Sequence, residues 1–115
     1  MEEFNKSFNV EGPLKRVELE NELIKEFNAI GYQSFNGLEG STKYLFGVEF
    51  EWETYIYCSN YCSSPSEALV DFFLKYTKGI DENDFEDYRD YLQAKNENNK
   101  LITILKNVVR KVYNV

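Results

Sequence analysis

Histidine is missing from all 115 residues. Its absence removes the one side chain whose ordinary pKa lies near neutrality, and with it the Ser-His and Cys-His dyads of nucleophilic catalysis. Cysteine is scarce: Cys58 and Cys62 are the only two. Three residues separate them, not the two of a thioredoxin-like redox motif. A zinc site built on them would have to be completed by carboxylates, an uncommon structural set. Both thiols are expected to be free, Cys58 in the core at a strand end and Cys62 in a loop. A disulfide across Ser59-Asn60-Tyr61 is the geometric alternative. No apolar run approaches the 18 residues that a membrane helix needs. The opening Met-Glu-Glu is acidic and lacks an apolar stretch, so no secretory leader is expected and a cytoplasmic setting is.

Cofactor and metal motifs are absent as well. Gly37-Leu38-Glu39-Gly40 lacks the Gly-Lys-Ser/Thr ending of a phosphate loop and carries an acid where phosphate would lie. A calcium loop starting at Asp81 fails at three places. Phe85 takes the fifth position, Glu86 the sixth, where glycine belongs, and Leu92 the twelfth. Paired carboxylates can hydrolyse glycosides, but a chain of this length offers little room for a sugar cleft. The expectation is a protein without cofactor, metal or enzymatic activity.

Basic residues are outnumbered. Thirteen Lys and Arg face twenty Asp and Glu, for a net charge of −7 and a pI of about 4.6. A surface this acidic repels nucleic-acid phosphates and anionic membranes, and it attracts basic partners over long range. The imbalance is local. Residues 1–48 carry a net −3, residues 49–90 a net −8, and residues 91–115 a net +4.

What the chain has in quantity is aromatic residues, nine Phe and nine Tyr, within 43% apolar content. That suffices for a single domain over residues 1–115 with a core of its own. Phe4, Phe8 and Val10 share one parity, which reads as an edge strand or a loosely held arm over residues 1–10. After Gly12-Pro13, Leu19, Leu23, Phe27 and Ile30 recur at helical spacing, with Val17 and Ile24 beside them, and predict a helix over about 14–30 stopped by Gly31. Tyr32 to Phe35 read as a short strand followed by a turn-rich loop. Residues 44–58 then alternate, with Tyr44, Phe46, Val48, Phe50, Trp52, Thr54, Ile56 and Cys58 on one parity. Such a run extends roughly 50 Å, so a bend or bulge is expected near Gly47.

Ser64-Pro65-Ser66-Glu67 is a helix start, with a cap, a proline at the first helical position and a capping-box glutamate. It predicts a helix over 65–78 with Ala68, Leu69, Phe72, Phe73 and Tyr76 inward and Gly79 at its end. Asp81 opens another helical stretch whose apolar stripe is Phe85, Tyr88 and Leu92. The polar run 94–100 interrupts the phase, and Leu101, Ile104, Leu105, Val108 and Val112 restart a helix over 101–113, with a strand the alternative because Ile102, Ile104, Val108, Val109 and Val112 are β-branched. The fold class is α+β: a small antiparallel sheet, a hairpin around 32–58, packed on one face by three to four helices.

Two constellations stand out as binding candidates. On the other parity of the long alternating run lie Glu49, Glu51, Glu53, Tyr55 and Tyr57, with same-face neighbours roughly 6.7 Å apart. This row is either the solvated side of a half-buried sheet or a strip built to meet basic side chains, its regular carboxylates imitating nucleic-acid phosphates. Like charges in line repel, so a merely solvated face gains nothing from them. The second constellation is Asp81, Glu82, Asp84, Glu86, Asp87 and Asp90, readable as helix N-terminal charge or as more of the same surface. The partner expected is a basic protein surface, such as that of a nucleic-acid-binding protein, blocked by an acidic inhibitor of the counter-defence type. An antidote that occludes a toxin's basic active site uses the same physics. A small-molecule pocket on Trp52, Phe72 and Phe73 is the third reading, against their plainer role as core.

Overall fold

The computed structural model describes the backbone of residues 2–36, 42–49 and 56–114, and the side chains in those ranges except at 28–36, 49 and 56. Among the described residues lie four α-helices and a three-stranded antiparallel sheet: α1 (Glu2–Phe8), α2 (Arg16–Glu26), β1 (Asn28–Asn36), β2 (Thr42–Glu49), β3 (Ile56–Cys58), α3 (Pro65–Thr77) and α4 (Tyr88–Tyr113). The fold is α+β, as the patterning implies.

Residues 2–8 are a helix, not the edge strand or loose arm expected of residues 1–10. Phe4 and Phe8 are four apart, which suits one helix face as well as it suits alternation. Phe4 is fully buried, and both rings meet Phe73 edge-on at 5.5 Å. Asn9 takes a left-handed conformation (φ 53°), and the Val10 amide donates back to the Asn5 carbonyl at 3.0 Å, closing the helix with a six-residue turn.

The second helix stops at Glu26, four residues before the expected end. Leu19 and Leu23 are buried as predicted, but Phe27 is already extended (φ −130°, ψ 158°), and Asn28 begins β1. Gly31 therefore lies inside a strand, paired with Gly47. The register shifts between Ala29 and Gly31, across from Val48 and Gly47. The irregularity thus sits beside Gly47, where a bend or bulge was expected, but on the partner strand.

β2 is the central strand, between β1 and β3. The predicted continuous strand over 44–58 is not formed, because β3 runs antiparallel to β2 with Gly47 opposite Cys58, Val48 opposite Tyr57 and Glu49 opposite Ile56. Beyond β3 the chain stays along the same edge. The Ser59 amide donates to the Phe46 carbonyl, the Phe46 amide donates to Ser59 Oγ, and Tyr44 and Cys62 exchange two 2.8 Å bonds.

α3 carries the inner layer. Ser64 Oγ accepts from the Glu67 amide at 3.2 Å, and Glu67 Oε2 accepts from the Ser63 amide at 3.1 Å, one residue earlier than a strict capping box would have it. Ala68, Leu69, Phe72 and Phe73 are fully buried, and Phe72 meets Phe46 of the sheet at 5.0 Å. Gly79 (φ 82°) follows the helix in a conformation that side-chain-bearing residues rarely adopt.

The largest departure lies in α4, one helix of 26 residues, about 39 Å long, where two helices with a polar break were expected. Ala94, Asn98, Leu101, Leu105, Val108 and Val112 step alternately by four and three, so the inward phase runs through the polar run unbroken. The residue that hid it is Asn98, a polar side chain left only 3% exposed.

Candidate protein-binding surface

Of the Glu49–Tyr57 row, Glu51, Glu53 and Tyr55 lie outside the described residues, as does Trp52. Glu49 is placed by its backbone alone, opposite Ile56. Tyr57 pairs with Val48, which is fully buried, so it belongs to the inner face of the sheet and is one residue out of phase with Glu49. Its ring meets Tyr76 at 5.1 Å, and its hydroxyl donates to Glu97 Oε2 at 3.1 Å. Tyr57 is therefore not a member of an exposed row. Phe72 and Phe73 are core residues at 0% exposure.

The second constellation is where the structure puts accessible charge. Asp81, Glu82, Asp84, Glu86, Asp87 and Asp90 are all exposed. Two of them have local work. Asp81 Oδ1 accepts from the Asn83 amide at 3.0 Å and starts a single 3-10 turn over Glu82–Asp84, and Asp87 Oδ1 accepts from the Arg89 amide at 2.9 Å and caps α4. Among the described residues none of the six forms an ion pair; the pairs present are Arg16–Glu20, Lys25–Glu22 and Lys111–Glu22. Arg89 within the run and Lys95 beyond it form no ion pair with them, and the two cations at the end of the positive tail are far away. Arg110 and Lys111 sit in the last turn of α4, at the far end of a helix several Debye lengths long at physiological salt.

Sequence reasoning missed the apolar half of this surface. Tyr88 and Leu92, expected in the inward stripe, are 59% and 45% exposed. The helix turns Tyr91 and Ala94 inward in their place, and Phe85 is half-buried against Tyr91 at 6.0 Å. The signal was present in the spacing: stepping back from Leu101 by three, four and three reaches Asn98, Ala94 and Tyr91, never Leu92.

Beside the acidic segment opens a cleft of about 400 Å³ between the ends of β3 and α3 and the first half of α4. Tyr57, Tyr76 and Phe85 supply aromatic surface, and Asp90, Glu97 and Asn98 supply polar groups. Burial holds the Tyr76 phenol above its ordinary pKa, and its oxygen accepts from the Cys58 amide and donates to the Cys58 carbonyl. Glu97 accepts from two neutral donors, the Tyr57 hydroxyl and Gln93 Nε2 at 3.4 Å. Asn98 Nδ2 donates to the Tyr76 carbonyl at 3.4 Å, and Asn98 Oδ1 is buried with no partner among the described residues.

Cys58 and Cys62 are free thiols. Burial pushes the Cys62 thiol above its ordinary pKa, with Asp71 and Glu67 adding to the effect, so it stays protonated and weakly nucleophilic at neutral pH. No helix among the described residues is long and apolar enough to cross a membrane. Comparison with family models, with curated proteins and with solved structures finds no match to this chain.

Proposed function

We propose that the chain is a non-enzymatic protein-binding domain, an acidic inhibitor that covers a basic surface of another protein, of the kind that binds nucleic acid. The observation that carries this reading is the exposed, unpaired run of six carboxylates over 81–90, with Tyr88 and Leu92 beside it. Carboxylates steer a basic partner and set its orientation, while an exposed tyrosine and leucine supply contact area that charge alone does not. Glu49, Glu51 and Glu53 remain candidates for a second part of the surface.

The test is capture of basic proteins from a lysate by the wild type and by a Glu82→Gln, Asp84→Asn, Glu86→Gln variant, which leaves both capping aspartates in place. The wild type retains a basic protein at low salt and releases it to competing DNA or RNA, and the variant retains much less. Equal retention by both would remove this segment from the interface. A Glu49→Gln, Glu51→Gln, Glu53→Gln variant applies the same test to the strand.

A further inference from the structure

The geometry points to the cleft between β3, α3 and α4 as a receptor for an arginine side chain presented by the docked partner. This rests on the protein-binding reading above, because Asp90 and Phe85 belong to both the acidic surface and the cleft.

The chemistry of the walls selects the ligand. Asn98 Oδ1 is the orphan: an acceptor on a residue 97% buried that lines the cleft and has no donor among the described residues. A buried acceptor left unsatisfied is costly, and a donor that reaches Asn98 Oδ1 by a small shift of the cleft wall recovers that cost. Glu97, one residue before it, is half-buried in the same wall. Its two oxygens each hold one neutral hydrogen bond, while a carboxylate has about four acceptor sites. Acceptors therefore exceed donors at this spot, and the excess carries negative charge.

Tyr57, Tyr76 and Phe85 add aromatic surface. Lys75 approaches Tyr76, with Nζ 5.6 Å from the ring centre, but it donates to the Cys58 carbonyl and does not line the cleft. A planar cation with several N–H donors meets all these demands together. Guanidinium stacks on aromatic rings and offers five donors in a rigid fork, whereas ammonium offers three on a strongly hydrated point. An arginine held on a partner reaches the cleft across the acidic rim that draws the partner in.

The experiment is a titration of the isotopically labelled full chain, followed by amide chemical shifts, with the blocked tripeptide Gly-Arg-Gly. Its citrulline and lysine counterparts and free agmatine serve as the other arms. The arginine peptide is expected to give saturable shifts at Tyr76, Ile80, Phe85, Ala94, Glu97 and Asn98. Citrulline, nearly isosteric but neutral, is expected to bind at least tenfold more weakly, lysine to fall between, and E97Q to lose about tenfold. N98L removes the orphaned acceptor and is expected to lose the saturable response while staying folded. Equal affinity for the citrulline peptide overturns the proposal. So do shifts confined to residues 81–87 that salt abolishes; that outcome leaves the acidic-surface reading standing without the cleft. Tighter binding of agmatine than of the peptide overturns the assignment to a partner.

Discussion

The Tyr57 hydroxyl donates a 3.1 Å hydrogen bond to Glu97 Oε2, joining the last strand to the middle of the long helix. β3 has three residues and lies at the edge of the sheet, so it depends on tertiary contacts more than on its own ladder. Tyr57→Phe keeps the ring against Tyr76 and deletes this bond. It is expected to cost about 1 kcal/mol in a urea unfolding series, as the net value of one hydrogen bond. Hydrogen exchange at the β3 amides should quicken by more than the global loss predicts. A variant as stable as the wild type, with unchanged exchange, would mean that water replaces the phenol without loss.

Asn98 takes a heptad position that Leu101, Leu105 and Val108 fill with apolar side chains. Its one bond is long at 3.4 Å, and its oxygen has no partner among the described residues. Leucine has the same number of side-chain heavy atoms and the same branching, with bulkier methyl ends, and removes both the weak donor and the orphaned acceptor. Asn98→Leu is expected to stabilise the protein by about 1 kcal/mol, visible as a higher urea midpoint at constant slope. A polar residue whose removal stabilises the fold is being kept for something else, which links this measurement to the cleft. A loss of stability would show instead that Asn98 serves the packing of α4.

The parts of the fold legible in the chain are those fixed by near neighbours. Ser64, Pro65 and Glu67 mark the start of α3 within four residues, and Gly79 marks its end, so that helix needs no tertiary information. The long alternating run failed for a geometric reason. Alternation records the parity of each residue but not a reversal of the strand. Across β2 and β3 the paired numbers have opposite parity, as in Val48 with Tyr57, so an odd position on one arm shares the face of an even position on the other. The glutamate-tyrosine row exists only along one straight strand, and the antiparallel pairing removes Tyr57 from it. In α4 the pattern misleads in the opposite sense. A polar residue at one inward position hid a continuous heptad, and it also put Tyr88 and Leu92 in the core when they belong to the surface.

The cap of α3 offers a local test. Ser64 Oγ accepts from the Glu67 amide, and α3 carries Phe72 and Phe73 at the centre of the core. Ser64→Ala is expected to cost about 1 kcal/mol in urea unfolding, and Ser64→Asp much less, because aspartate caps equally well and adds a favourable charge at the helix N-terminus. Equal losses in both variants would point to crowding around residue 64, not to the cap.

The contact between α2 and α4 gives a pH signature of known sign. Glu22 Oε2 lies 2.9 Å from Lys111 Nζ, and Oε1 lies 3.0 Å from Lys25 Nζ. Hydrogen bonds from Lys111 and then Lys25 hold the Glu22 carboxyl below its ordinary pKa, and Glu22 in turn raises Lys111. A carboxyl whose folded pKa is depressed contributes stability that is fully present above its unfolded pKa and is lost as pH falls through the folded value. Glu22→Gln should therefore lower the Tm slightly at neutral pH, and the gap to the wild type should close once the pH is below the depressed value. Lys111 contributes the mirror image: its raised pKa adds stability below its unfolded value and loses it as pH climbs through the folded one. The Lys111 side chain is largely exposed although Glu22 is mostly covered, so 1 M salt should shrink the neutral-pH gap in part. A gap that persists unchanged into acid would assign the loss to packing of the Glu22 side chain between the helices, with the charge contributing nothing.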